Sequence, residues 1–296
     1  MVHATAQTYT GRRPGKGCLP DMDDRQFTDW VELLERRIGL FISEDRRSFL
    51  NTGLRLRMKE IGCSDYRDYY RRLSCQGPQA QEWTVLVDRL TVHETRFFRH
   101  RPSLDLLLDE WLPAACAAPD KQCLRVWSVG CATGEETYSL AMLIDDYLMC
   151  SDSGRYFGVT GTDISLPALS TARTGVYDKR RLADIDPVFR ERYCRPVSDS
   201  RFEIDAGLRK RVCFAQLNLR EVSRAPFAGI DLIYCQNLLI YFNRDRRVDI
   251  ANHLAACLGP GGVLVLGPGE LMGWQHRGME KIRYDDTLAY RRVADR

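Results

Sequence analysis

The chain of 296 residues lacks any apolar run near the ~20 residues that a membrane-spanning helix needs, so no membrane insertion is expected. Strong charge of either sign is also missing. A formal net charge of +3 gives no general pull toward nucleic acid, and any basic surface must be local. The 11 cysteines are scattered singly, without a Cys-x-x-Cys pair and without a Cys/His cluster at zinc spacing, so no metal site is expected. No secretory signal is legible, which leads us to expect reduced thiols in a cytoplasmic protein. There is no internal repeat. What is present is length enough for two domains and for a sizeable core.

Residues 1–22 are polar, with Gly-Arg-Arg-Pro-Gly-Lys-Gly at 11–17, and read as a disordered tail. Over 23–88 the apolar residues recur at helical spacing: Phe27, Trp30, Val31, Leu34 and Ile38, then Phe49, Leu50 and Leu54, then Tyr66, Tyr69, Tyr70 and Leu73. A small helical domain follows from that pattern. Within it, residues 46–59 carry Arg46, Arg47, Arg55, Arg57 and Lys59 with no acid, which makes this stretch a candidate docking surface for an acidic partner or, more plainly, a solvated helix face. Residues 89–101 read as a linker bearing active-site groups.

From 102 onward apolar strands alternate with helices, at 125–129, 156–162, 212–216, 230–235 and 262–266. Such alternation predicts a mostly parallel sheet covered by helices, a Rossmann-like α/β fold. The alternating segment 281–293 is expected to close the sheet as an antiparallel edge. The arginine-rich stretch 176–211 interrupts the pattern and reads as a small inserted β subdomain.

The segment Ser128-Val-Gly-Cys-Ala-Thr-Gly-Glu-Glu136 is a strand, a turn bracketed by Gly130 and Gly134, and a helix start. Glycines let the backbone bend and let a ligand approach closely. Acids at the helix start would repel a pyrophosphate, so this corner suits a ligand that carries positive charge and hydroxyls, such as S-adenosylmethionine. A nicotinamide dehydrogenase is disfavoured for the same reason. Three further segments fall at predicted carboxyl ends of strands, where open α/β sheets bind ligands. Gly161-Thr-Asp163-Ile-Ser offers a carboxylate for ribose hydroxyls or, equally, a helix cap. Asn218, in Gln-Leu-Asn-Leu, offers an amide to an adenine edge. Cys235-Gln-Asn237-Leu-Leu-Ile-Tyr241-Phe adds a second amide and a phenol. Upstream, Leu90-Thr-Val-His-Glu-Thr-Arg-Phe-Phe-Arg99 surrounds an aromatic pair with polar groups; on its own, it reads as interdomain packing beside a surface charge.

In order and spacing these five segments resemble the CheR family of chemoreceptor glutamate methyltransferases over residues 25–293, and the segment at 90–100 is similar to the type IV pilus branch. The resemblance implies methylation of glutamate γ-carboxylates on the helical cytoplasmic region of a chemoreceptor, with S-adenosyl-L-methionine converted to S-adenosyl-L-homocysteine, by a protein-glutamate O-methyltransferase that is monomeric. It implies cofactor contacts at His93, Thr95, Arg99, Gly130, Gly134, Glu136, Asp163, Asn218, Leu219, Asn237 and Leu238, and places Arg99 and Tyr241 beside the transferred methyl. Three positions depart from the family: His93 where asparagine is frequent, Thr137 where proline is common, and Gln236 where an arginine often precedes the asparagine.

A carboxylate with an ordinary pKa of ~4.3 is already ionised at neutral pH, so the chemistry implied needs positioning and desolvation rather than a general base. Receptor methylation regions are acidic helices, which gives the basic stretch at 46–59 its expected role as the docking surface. Two other readings share the cofactor corner. A nucleic-acid methyltransferase is opposed by Cys-Gln-Asn-Leu at 235–238, which lacks the Asn/Asp-Pro-Pro-aromatic cluster of base amino methylation. A non-catalytic S-adenosylmethionine-binding scaffold is opposed by the retained Arg99 and Tyr241.

Overall fold

The computed structural model describes residues 21–75, 77, 81–91, 94–118, 121–151 and 154–293. His93 and residues 1–20 lie outside the described residues, so the expected cofactor contact of the first and most of the expected tail of the second stay at the level of sequence.

The helical part comprises α1 (Asp24–Ile38), α2 (Arg47–Glu60), α3 (Tyr66–Ser74) and α4 (Gln81–Leu90). Asp23 starts α1 through a reciprocal cap, its carboxylate accepting from Gln26 N at 2.7 Å while Gln26 Oε1 accepts from Asp23 N at 3.1 Å. Gly39, at φ 79°, ends it. Trp30, Leu34, Leu50, Leu54, Tyr69 and Trp83 close over one another as a separate core. Asp21 and Met22, expected to belong to the tail, are tied to the helical part instead. Met22 is buried in this core, and Asp21 pairs with Arg55.

The second part is built on a seven-stranded sheet. Its strands are β1 (Cys123–Val129), β2 (Tyr156–Asp163), β6 (Val212–Gln216), β7 (Ile230–Cys235), β8 (Leu258–Leu266), β9 (Met279–Ile282) and β10 (Leu288–Arg292), in the order β6-β2-β1-β7-β8-β10-β9. The first five in that row pair parallel, and β10 and β9 antiparallel. The expected closing edge is thus a hairpin. β10 sits inside the sheet against β8, and β9 forms the rim. α5 (Arg101–Leu106) passes through a π-helical turn at Leu107–Trp111 into α6 (Leu112–Ala117). Together with α7 (Glu135–Cys150), α8 (Leu166–Thr174) and α11 (Arg244–Cys257), these helices cover the sheet.

The insert forms its own three-stranded antiparallel sheet, with β5 (Arg201–Ile204) between β3 (Val176–Asp178) and β4 (Cys194–Pro196), flanked by α9 (Pro187–Tyr193) and α10 (Ala206–Arg209). It is anchored by the aromatic pair upstream of α5. Phe97 meets Tyr177 edge-on at 5.1 Å, and Phe98 stacks on Phe189 at 5.2 Å. The helical part sits against the carboxyl end of the parallel sheet. Phe41 N donates to Tyr241 O (2.9 Å), Asn243 Nδ2 to Glu35 Oε1 (2.7 Å), and Asn218 Nδ2 to Arg37 O (3.2 Å).

Candidate active site

β1 has β2 on one side and β7 on the other, so the chain leaves its carboxyl end in opposite directions and opens a crevice there. A cleft occupies this place. Its floor is the glycine corner. Gly130 has φ 74°, its N–H donates to Thr162 O at 2.7 Å, and a Cβ on it would lie 2.6 Å from the Leu238 side chain. Gly134, at φ 96°, starts α7, and a Cβ there would lie 2.8 Å from that of Ala172. Both positions therefore need glycine for conformation and for space. Three non-glycine residues with positive φ also stand at the site: Ala132 (47°) and Asn237 (56°) line the cleft, and Phe98 (50°) precedes Arg99. Strained backbone of this kind persists only where its surroundings over-determine it.

The two acids after Gly134 diverge. Glu135 points away from the cleft and is buried, its Oε2 accepting from Thr133 Oγ1 at 2.6 Å. Glu136 lies deep in the cleft wall, where its Oε1 accepts from Ser128 Oγ at 2.7 Å. Burial pushes the Glu136 carboxyl up to about 8, against the pull of Ser128 and of Arg99. A cation placed beside it would restore its ionised form. Asp163 is held by two backbone donors, Ala132 N on Oδ2 and Ser165 N on Oδ1, each at 2.9 Å. An ionised carboxylate has about four acceptor positions, so roughly two remain for hydroxyls.

Thr95, Arg99, Gly130, Glu136, Asp163, Asn218, Leu219, Asn237, Leu238 and Tyr241 all line this one cleft. Gly134 stands just behind its floor as the first residue before α7. Thr95 is fixed through its carbonyl, which accepts from Arg181 of the insert at 2.7 Å. Arg99 is exposed at the mouth and donates to Glu94 O at 2.6 Å. The Tyr241 hydroxyl is pushed up by burial, with Arg46 and Arg99 acting in the opposite sense.

Asn218 has structural duties that the sequence does not reveal. Its Oδ1 caps the following helical turn at Arg220 N (3.0 Å) and its Nδ2 reaches Arg37 O, so both ends of the amide are engaged within the protein. The sequence reading also missed the roof. Ile38 and Leu40 close the cleft from the helical part, and Thr91, Glu94, Leu217, Gln236 and Phe242 stand in its wall. The only signal for the roof was the apolar Ile-Gly-Leu-Phe at the end of α1.

The basic stretch is not the uniformly positive face expected. Arg47 pairs with Asp24 and Glu44 (2.8 and 2.7 Å), Arg55 with Asp21, and Arg57 with Glu60 and Glu82 (2.9 and 2.6 Å). The acids come from outside the stretch, which is why its own composition does not reveal them. Arg46 lies over the rings of Phe49 (5.0 Å) and Tyr241 (5.6 Å), at the cleft mouth, and Lys59 is exposed.

Comparison with known proteins places these observations in one family. Residues 25–91 match the model described as CheR methyltransferase, all-alpha domain, and residues 93–287 match CheR methyltransferase, SAM binding domain. The chemotaxis protein methyltransferase of Borreliella burgdorferi is 27% identical over 88% of this chain and 92% of its own length. Chemotaxis protein methyltransferase 1 of Pseudomonas aeruginosa is 31% identical, covering 87% of this chain and 94% of its own. The probable biofilm formation methyltransferase WspC of the same species is 30% identical over 93% of this chain and 63% of its length.

Proposed function

This chain belongs to the CheR methyltransferase family, and on that premise we propose that it methylates glutamate side chains on the helical cytoplasmic region of a chemoreceptor, using S-adenosylmethionine and leaving glutamyl methyl esters. The observation that carries the reading is the convergence of Glu136, Asp163, Asn237, Arg99 and Tyr241 on one cleft. The residues fit the cofactor's chemistry. A deep carboxylate faces the place for a cation, a backbone-oriented carboxylate stands ready for hydroxyls, and an apolar roof excludes water. When bound, S-adenosylmethionine supplies a sulfonium methyl group to a carboxylate oxygen and leaves as the neutral thioether.

The rest of the chemistry falls to the chain. Arg99 and Tyr241 stand at the mouth, where they orient the acceptor carboxylate toward the cleft. A full bidentate clamp by Arg99 would stabilise the unreacted anion as much as the transition state, so partial contact serves turnover better. Desolvation under Ile38 and Leu40 strengthens every charge interaction in the cleft. Docking of the acidic receptor helix falls to the α2 face, through Arg46 beside Tyr241 and the exposed Lys59, with Arg47, Arg55 and Arg57 contributing through their ion-paired network. Among the described residues no helix is long and apolar enough to cross a membrane. We assign the protein to the cytoplasm as a monomer, and both assignments rest on the substrate proposed.

The test is transfer of labelled methyl from S-adenosylmethionine to a chemoreceptor cytoplasmic fragment, with release of the label as methanol in mild base. Base-labile label that is lost in a Glu→Ala receptor supports the reading. Cofactor binding without ester formation on any receptor tested overturns it.

A further inference from the structure

The groups at the cleft mouth come from two separate segments: Arg99 from the linker before α5, and Asn237, Leu238 and Tyr241 from the turn after β7. Each segment carries a non-glycine residue with positive φ, Phe98 in one and Asn237 in the other. Beneath them runs a continuous chain of buried hydrogen bonds. The Tyr234 hydroxyl donates to Gln236 Oε1 at 3.1 Å, and Gln236 Nε2 lies 2.7 Å from Ser103 Oγ and 3.4 Å from Leu266 O. Ser103 Oγ lies 2.7 Å from His100 Nδ1, and Ser103 N also donates to Nδ1 at 3.3 Å.

The chemistry of the groups fixes the direction of this chain. Nδ1 accepts from the Ser103 backbone, so it carries no proton and the Ser103 hydroxyl donates to it as well. Ser103 Oγ is then left as the acceptor for Gln236 Nε2, and Gln236 Oε1 is left as the acceptor for Tyr234. Every proton points the same way, from β7 toward His100. Burial holds His100 below its ordinary value, opposed by Asp286, which keeps the ring neutral at pH 7. Ser103 is wholly buried, and Tyr234 and Gln236 nearly so.

We propose that Gln236 is a positioning residue for methyl transfer, locking the Asn237–Tyr241 turn to the Arg99 segment through Ser103 and His100. The proposal rests on the methyltransferase reading above. Gln236 suits the place because an amide donates on one side and accepts on the other, which neither a carboxylate nor a guanidinium can do. Its neighbour Asn237, at φ 56°, opens the turn that this anchor would hold. Because small misplacements of reacting groups are costly to rate, the anchor acts on turnover more than on encounter.

The experiment uses the full chain and three readouts: methyl transfer to a chemoreceptor fragment, calorimetric binding of S-adenosylhomocysteine, and amide hydrogen exchange of the complex with S-adenosylhomocysteine. Because Gln236 also borders the cleft, cofactor affinity separates positioning from direct contact: Gln236→Leu is expected to lower kcat about tenfold or more and to leave the receptor KM and the S-adenosylhomocysteine affinity within about twofold, and an affinity loss as large as the kcat loss overturns the proposal. Exchange should quicken at 99–103 and at 237–241 together. Unchanged kcat and exchange overturn the proposal, and so does quickening confined to 237–241, which would mark a local packing defect.

The isosteric Gln236→Glu preserves volume but reverses one link. Its carboxylate takes the Ser103 proton, so His100 presents an N–H to Ser103 Oγ, and the added negative charge nearby favours the imidazolium over the neutral Nδ1–H tautomer. The other charges around His100 are Arg99 and Arg101 on its own segment, Asp105 on α5, and Arg283, Asp285 and Asp286 on the turn that lines a separate surface pocket beside Pro102. All are unchanged in this variant. Its ratio of activity at pH 6 to that at pH 8 should exceed the parent's, and an unshifted profile overturns the assigned direction. Should the parent bind S-adenosylhomocysteine yet methylate no receptor, the substrate reading fails while hydrogen exchange still decides the role of Gln236.

Discussion

Glu82 in the helical part and Glu136 in the α/β part are both withdrawn from bulk solvent, and they titrate in opposite directions. Glu82 takes two hydrogen bonds from Arg57 (2.9 and 2.6 Å) and one from the Tyr69 hydroxyl (2.7 Å), and Arg57 holds its carboxyl below the ordinary range. Glu136 accepts from Ser128 alone among its side-chain contacts described, and burial raises it to about 8. An acid that brings its own cation into a core is an element of the fold. An acid sunk in a cleft without one is built for a cation that arrives from outside.

The largest expected effect tests the first half of that contrast. Arg57→Ala leaves Glu82 and Tyr69 buried without their cation, and should destabilise the protein by about 3 kcal/mol, near the low end for a buried pair because Arg57 is partly exposed. Denaturant unfolding reads this, and the folded variant should bind S-adenosylhomocysteine as the parent does. At the mouth, Arg99→Ala or Tyr241→Phe should cut kcat by roughly 10- to 100-fold with little change in cofactor affinity. Equal turnover in these variants would remove both groups from the mechanism.

Glu136→Gln inverts the Arg57 result. Losing a charge-assisted contact of about 1.5–3 kcal/mol should weaken S-adenosylmethionine binding by roughly ten- to a hundredfold, while stability at pH 8 holds or rises. Calorimetry beside thermal unfolding separates the two effects.

The same two acids give pH dependences of opposite sign. The stabilisation from Glu82 is present above its unfolded pKa of ~4.3 and is lost as pH falls through its depressed folded value. Glu136 favours the folded state most below that unfolded value, and its contribution is lost as pH rises toward about 8. Since a cationic ligand selects the ionised carboxylate, cofactor affinity should strengthen from pH 6 to 8, by up to about tenfold per unit, with proton release on binding. Calorimetry in buffers of differing ionisation heat checks it, and a flat profile would mean that Glu136 is already ionised in the empty cleft. The smallest effect belongs to the surface: Lys59→Glu should raise the receptor KM a few-fold at low salt and lose that effect at high salt.

Much of the α/β half was legible because its signals are local. A strand ending at Val129, two glycines at positive φ and a helix starting at Glu135 follow from neighbouring residues, and so do β6 and β7, whose bounds are those read from the sequence. The charge balance of the α2 surface was not legible for the converse reason. The acids that pair with its arginines are Asp21, Asp24, Glu44, Glu60 and Glu82, all outside the stretch, and composition within 46–59 carries no trace of them. Asn218 shows the same limit, since an amide at a strand end can serve a ligand or a helix start, and only the approach of Arg37 shows that it also ties the two parts together.

By itself, the sequence determined the element types and the parallel sheet with its glycine corner, because periodicity and turn chemistry act over a few residues, and its family resemblance named many of the groups that line the cleft. Only the tertiary structure decided which charges are free to act. It sent Glu135 away from the cleft and Glu136 into it, brought Ile38 and Leu40 over the pocket, and joined Gln236 to His100 across more than a hundred residues of chain. Charge state and hydrogen-bond capacity depend on burial and on partners that meet only when the two parts close on each other.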